Sequence, residues 1–264
     1  SKDYLFSNGA HDIAYNGSIW IAVGENSGTA FNSTTTIAYS YDGLHWVPIE
    51  NTNVIFTKGL CVAWGEDIWV AGGEGGTSRL AYSYDGITWT EVNPARVSNR
   101  ANSIKWNGRQ FVVVGGGDGG STIAHSPDGI NWQNGNSASV RFSEAFGVAY
   151  SEPLKLWVAV GTGTNTICTS YDAIAWTGQG DSVFGSGGVG RGIHYNGYRF
   201  IATGQGSVTI AYSEDGFTWT GATNSSSIFS TTGWNGGMSN QYGCVSMINP
   251  VVAVGEDGNH NSIN

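Results

Sequence analysis

Short apolar strings alternate with glycine-, asparagine- and serine-rich clusters along this chain, and the alternation is periodic. Each period opens with a string of the Ile13-Ala14-Tyr15 type, matched by Val62-Ala63-Trp64, Ile104-Lys105-Trp106, Val148-Ala149-Tyr150 and Ile193-His194-Tyr195. A turn follows, and Asn16-Gly17, Asn107-Gly108 and Asn196-Gly197 are dipeptides that tolerate positive φ in tight hairpins. The second string runs continuously apolar to a glycine: Trp20–Gly24, Trp69–Gly72, Phe111–Gly115, Trp157–Gly161, Phe200–Gly204 and Val251–Gly255. Such a run predicts a strand buried on both faces. The third string is Ile37-Ala38-Tyr39-Ser40 and its relatives, and the fourth carries a tryptophan.

One signature joins the third string to the fourth. It reads Ser40-Tyr41-Asp42-Gly43-Leu44-His45-Trp46 and returns as Ser83–Trp89, Ser126–Trp132, Ser170–Trp176 and Ser213–Trp219. Its aspartates (Asp42, Asp85, Asp128, Asp172, Asp215) and tryptophans (Trp46, Trp89, Trp132, Trp176, Trp219) recur about every 43 residues. A fixed period of this size marks β units that cannot bury their own faces and must stack on neighbours. The second-strand glycine occurs six times, as does a connector motif of the Phe6-Ser7-Asn8-Gly9 and Phe56-Thr57-Lys58-Gly59 type, whereas the aspartate hairpin occurs five times. The counts predict one all-β domain over 1–264, a six-bladed β-propeller of four-stranded antiparallel blades. The blades fall at about 12–50, 60–93, 102–135, 146–180, 192–222 and 243–264, the sixth incomplete or closed by residues 1–6.

Composition narrows the partners. A net charge of −9 argues against nucleic acid or an anionic membrane surface, both of which need a Lys/Arg face. No apolar run reaches the length of a membrane span. The chain begins at Ser1 rather than Met, which reads as a processed or excised segment. Three cysteines make no disulfide framework; Cys61 and Cys244 share a repeat position, Cys168 lies in another strand, and all read as small buried residues.

The hairpin resembles the Asp-box of sialidase-like, BNR-type β-propellers, whose pattern is Ser-x-Asp-x-Gly-x-Thr-Trp. Here glycine directly follows the aspartate, as in Ser83-Tyr84-Asp85-Gly86-Ile87-Thr88-Trp89, and the fourth copy has Ala173 in its place. The whole repeat is similar to uncharacterised repeat proteins of large viruses and aquatic microbes. The aspartate reads as turn chemistry: its carboxylate accepts from N–H groups of its own turn, glycine supplies the unusual φ, and tryptophan packs between blades. A sialidase of this fold would also need an arginine triad, a Tyr/Glu pair and an acid Asp. The chain has 11 Lys and Arg in all and lacks the Phe/Tyr-Arg-Ile-Pro segment of those enzymes. Tyr198-Arg199-Phe200-Ile201 comes near that segment, but stands where other repeats have Ile19-Trp20 or Leu156-Trp157. No Ser-His-Asp order, phosphate loop or His/Cys metal spacing appears, so no enzyme is expected.

Departures from the repeat indicate where a ligand would bind. The second-to-third-strand loop of blade one is long and holds Phe31 and Asn32; the connector into blade six is long and holds Trp234, Asn235 and Tyr242. Aromatic rings among amide side chains suit a glycan. Glu25, Glu74, Asp118, Glu256 and Asp257 follow second-strand glycines and are candidate Ca²⁺ ligands; no other cofactor is implied. Sequons at Asn16, Asn32 and Asn224 are compatible with secretion. The resulting expectation is a binding or adhesion module on the outside of a cell or on a virion surface, recognising a glycan or a surface protein. Two alternatives stay open: a structural spacer that self-associates through its incomplete sixth blade, and a divergent glycoside hydrolase.

Overall fold

The computed structural model describes residues 5–26, 34–94, 96–116, 121–135 and 142–223, with the backbone of 244–245 and 253–254. The chain divides into two compact units, Ser1–Asn134 and Gly135–Asn264.

The first unit holds three blades, each a four-stranded antiparallel meander. Blade one comprises β1 (Gly9–Tyr15), β2 (Trp20–Glu25), β3 (Ile37–Ser40) and β4 (Val47–Ile49). Blade two is β5 (Lys58–Gly65), β6 (Ile68–Glu74), β7 (Leu80–Ser83) and β8 (Thr90–Glu91). Blade three is β9 (Ala101–Trp106), β10 (Phe111–Gly115), β11 (Ile123–Ser126) and β12 (Gln133–Asn134). A single 3₁₀ turn, Thr52–Val54, lies in the connector between blades one and two.

The second unit repeats the pattern twice. Blade four is β13 (Phe142–Ser151), β14 (Leu156–Gly163), β15 (Ile167–Ser170) and β16 (Thr177–Gly178). Blade five is β17 (Val189–Tyr195), β18 (Phe200–Gln205), β19 (Ile210–Ser213) and β20 (Thr220–Gly221). A further antiparallel pair, β21 (Cys244–Val245) and β22 (Ala253–Val254), forms where the sixth copy's first two strands are expected.

Burial on both faces of the second strand has a direct cause. Along β6, Trp69 and Ala71 point into a cluster with Ile21, Val23 and Ile37 of blade one. The alternate residues Ile68 and Val70 point the other way, into a cluster with Ala101, Ile104, Phe111 and Trp132 of blade three. Blade two is therefore the filling between its neighbours, and period-two alternation along β6 serves two cores instead of one core and solvent. Blades four and five share an equivalent cluster of Leu156, Val158, Val160, Phe184 and Phe200. Trp69 and Trp157 are fully buried, and truncating either to alanine should cost about 3–5 kcal/mol.

The glycine closing each second strand marks a close approach. A Cβ at Gly24, Gly161 or Gly204 would collide with Phe6, Phe142 or Phe184, the aromatic residue of the connector entering the same blade. In blade two the residue in this place is Gly73, against Phe56, not Gly72; the sequence alignment of that blade is shifted by one because two glycines adjoin. The first strands of blades one to five carry one-residue bulges at His11, Leu60, Asn102, Phe146 and Arg191, and that of blade four has a second irregularity at Ser143. Bulges of this kind disrupt an edge that would otherwise pair with another chain.

Candidate functional site

Every described blade has two ends. At the connector end, second strands finish and first strands begin. At the turn end lie the hairpins joining first to second and third to fourth strands.

The aspartate hairpins build the turn end, and they share one bonding scheme. In blade two, Asp85 Oδ1 accepts from the N–H of Ile87 at 2.8 Å, the N–H of Thr88 at 2.7 Å and the Ser83 hydroxyl at 2.9 Å. Thr88 Oγ1 donates to Asp85 Oδ2 at 3.1 Å, and Trp89 Nε1 donates to the Gly86 carbonyl at 3.2 Å. Asp42, Asp128, Asp172 and Asp215 each accept the same pair of backbone N–H groups. The residue after the aspartate has φ between 64° and 82°, including Ala173 at 64°. Trp132 and Trp176 are buried; Trp46, Trp89 and Trp219 are partly so.

This bonding fixes the charge. Partial desolvation opposes the anion at Asp85, Asp128 and Asp215, yet their hydrogen bonds outweigh it and hold each carboxyl at about 2. Asp172 is lowered in the same way, and Asp42 chiefly by His45. A general acid needs the opposite arrangement. Asp12 has it: burial lifts its carboxyl to about 6, although it accepts from Ile13 N–H at 2.9 Å and from Val62 N–H at 2.9 Å. The second of these bonds ties blade one to blade two, which gives Asp12 a structural task that its sequence position did not reveal.

At the connector end of the first unit, acids and bases form a ladder across three blades. Lys58 Nζ lies 3.4 Å from Glu25 and 3.2 Å from Glu74, and Arg100 Nε lies 3.2 Å from the other oxygen of Glu74. His11 Nε2 stands 3.9 Å from Glu25 at the far end. Burial lowers the His11 pKa and outweighs the pull of Glu25. Glu25 and Glu74 thus meet around an ammonium group. Among the described residues, no three His, Cys, Asp or Glu side chains converge as metal ligands. Asp118, Glu256 and Asp257 lie outside the described residues, as do Phe31, Asn32, Trp234, Asn235 and Tyr242.

The second unit carries a hollow of about 600 Å³ at its connector end. Its walls are the glycine-rich connector Phe184–Val189 and the second-to-third-strand loop Gln205–Ser207, with Arg191 between them. Arg191 Nη2 donates to Gln205 Oε1 at 3.0 Å, and its guanidinium lies 4.5 Å over the Phe146 ring. Gly185, Gly187 and Gly206 all have positive φ, so backbone rather than side chains forms the wall. Loops and connectors on this end were the expected binding elements, but the connector lining this hollow enters blade five. Its signal was legible: Phe184-Gly185-Ser186-Gly187-Gly188 is the glycine-richest of the connectors, and Arg191 sits at the bulge.

Arg199, in the segment compared with the sialidase motif, lies outside this hollow. It stacks on Tyr198 and Tyr212, 4.8 and 5.1 Å from the ring centroids, and pairs with Glu214 at 3.3 Å. Cys61 and Cys168 are buried free thiols whose pKa values burial pushes up.

No protein-family model matches the chain, and no curated protein matches it. Among solved structures it is similar to YCF48 bound to D1 peptide, at 17% identity over 80% of this chain and 67% of that chain, with a TM-score of 0.54. A chain of the nidogen/laminin complex is similar at 11% identity over 78% of this chain and 75% of that one, again with a TM-score of 0.54. With its four-stranded antiparallel blades, the chain has the β-propeller fold.

Proposed function

We propose that this propeller is a non-catalytic binding module whose connector end grips an extended polypeptide segment of a partner protein. The observation that carries the reading is the blade-five hollow. It has the size of a ligand site, is walled by glycine backbone, and is crossed by the Arg191–Gln205 pair. Part of the wall's backbone is bonded within the wall, Ser207 N–H to the Phe184 carbonyl and Gly188 N–H to the Gly185 carbonyl, and the Gln205 amide and Arg191 guanidinium are the side-chain groups that a peptide carboxylate would meet. The described residues exposing aromatic rings for sugar stacking all lie at the other end, so polypeptide is favoured here over glycan. Similar propellers support the same reading, since YCF48 is bound to a D1 peptide and the other structure is a complex of nidogen with laminin. Display on a cell or virion surface is part of the proposal, motivated by the low charge and the Ser/Thr/Asn-rich turns.

The absence of catalysis is also proposed, and it rests on the carboxylates. Five aspartates are held as anions by their own turns, and Asp12 is engaged between two blades. Selection of a displayed library of extended dodecapeptides tests the function. Binders should be enriched and should be released by Ser186→Trp, which fills the hollow from an exposed position. Enrichment that ignores this substitution, or turnover of a reporter glycoside by the purified protein, would contradict the proposal.

A further inference from the structure

The turn end has a chemistry of its own. Six exposed aromatic side chains occur among the described residues: Tyr15, Tyr41, Tyr84, Tyr171, Tyr198 and Phe217. All six belong to hairpins of the turn end. Tyr41, Tyr84 and Tyr171 occupy the same place, immediately before the turn aspartate, and are 67%, 66% and 68% exposed.

The repeat supplies its own control on why they are there. The same place holds Pro127 in blade three and Glu214 in blade five. Those two turns close with the same serine-to-aspartate bond, 2.9 Å in each, and the same pair of backbone donors. The turn therefore does not require tyrosine, and a ring two-thirds exposed adds little to a core. What it provides is a flat apolar face in water.

These faces are oriented in advance. Tyr41 packs edge-on against Tyr39 with centroids 5.6 Å apart at 77°, and Tyr84 against Tyr82 at 5.9 Å and 79°. Tyr171 lies 6.4 Å from Phe217 of the next turn, so in the second unit two rings form one broader platform. Fixing a ring before binding lowers the ordering cost of the complex. The residue after each ring is an exposed aspartate, Asp42, Asp85 or Asp172, whose Oδ1 is taken up by its own turn and whose Oδ2 accepts from His45 in the first and Thr88 in the second. An aromatic face next to a fixed hydroxyl acceptor matches a pyranose, which offers one C–H-rich face and donor hydroxyls at its rim. The same carboxylates repel acidic polymers.

We propose that the blade turns bind a neutral polysaccharide, with Tyr41 and Tyr84 as stacking platforms in the first unit, Tyr171 with Phe217 as a platform in the second, and the aspartates that follow the tyrosines as hydroxyl acceptors. The site is separate from the connector-end hollow and does not depend on it. Each platform alone is weak; a polymer that engages neighbouring turns, such as those of Tyr41 and Tyr84, gains by effective concentration.

Affinity electrophoresis of the purified chain tests this, through gels containing mixed-linkage β-glucan, xylan, galactomannan or, as the acidic control, polygalacturonate. The chain should be retarded in at least one neutral gel. The triple variant Tyr41→Ala, Tyr84→Ala, Tyr171→Ala should bind about tenfold or more weakly, since multivalent gain is lost with the platforms. It should still melt cooperatively, with the loss limited to the three ring contacts, because proline and glutamate already close the same turn in blades three and five. Glu214→Tyr should increase retardation, and Ser186→Trp should leave it unchanged. Equal retardation of the triple variant and wild type, retardation by polygalacturonate alone, or none in any gel overturns the proposal. Concentration-dependent sedimentation that the triple variant abolishes, without retardation, also overturns it and makes the tyrosines a contact between copies.

Discussion

Replacing Asp85 by alanine removes the acceptor of four hydrogen bonds: two from backbone N–H groups and two from hydroxyls. The depression of its carboxyl from 3.8 to about 2 corresponds to about 2.5 kcal/mol of preference for the anion in the folded state. Asp85 is exposed, so solvent screening reduces this to about 1 kcal/mol of usable stability. Losing the acceptor altogether adds about 1–2 kcal/mol, because the freed donors are solvated only in part. Asp85→Asn keeps an acceptor oxygen and loses the charge, and should cost about 1 kcal/mol; Asp85→Ala should cost about 2–3 kcal/mol. Urea unfolding followed by tryptophan fluorescence at pH 7 separates these values. Because the folded pKa is depressed, the charge contribution is complete above pH 4 and disappears as pH falls through about 2. The gap between wild type and Asp85→Asn should therefore close between pH 4 and pH 2. An Asp85→Ala protein as stable as wild type at pH 7, or a gap that ignores pH, would show that the carboxylate does not staple the turn.

Asp12 should show the opposite slope. Its folded carboxyl stands at about 6 against 3.8 unfolded, so wild-type stability falls as pH rises from about 4 to about 6 and then levels. Asp12→Asn lacks this loss, and its stability relative to wild type should improve by up to about 3 kcal/mol between pH 4 and pH 7; parallel urea midpoints across that range would contradict it. At Gly129 an added Cβ would stand 2.7 Å from Val70 Cγ2 and also at positive φ, so Gly129→Ala should cost about 2–4 kcal/mol. Gly43→Ala, where the nearest atom is 3.5 Å away, should cost only about 1–2 kcal/mol, and thermal melting of the pair checks the order. Lys58→Met leaves Glu25 and Glu74 without their shared ammonium and should lower stability by about 1–2 kcal/mol, which urea unfolding at pH 7 checks.

Strand order, blade register and the dual burial of the second strand were legible in the sequence because they are periodic, and a period reports itself through repetition. Blade two shows the limit: Gly72 and Gly73 adjoin, and only the collision of a Gly73 Cβ with Phe56 tells which closes the strand. The functional surfaces were harder to read because they arise between copies. Lys58 joins Glu25 to Glu74 only once one first strand starts beside the preceding second strand's end, a relation about 33 residues away in sequence. Asp12 meets Val62 for the same reason. Attention to irregular loops drew the expected site to Phe31, Asn32, Trp234, Asn235 and Tyr242, all outside the described residues. The exposed tyrosines were hidden by the opposite effect: inside so regular a motif, Tyr41, Tyr84 and Tyr171 looked like scaffold until Pro127 and Glu214 showed that the turn closes without them.

Calorimetric titration of a selected dodecapeptide into wild type and into Ser186→Trp tests recognition at the connector end most directly. Saturable one-to-one binding by the wild type, recovery of the peptide intact, and binding about tenfold or more weaker in the variant are expected. Equal affinity of the two proteins would contradict this, as would recovery of a cleaved peptide.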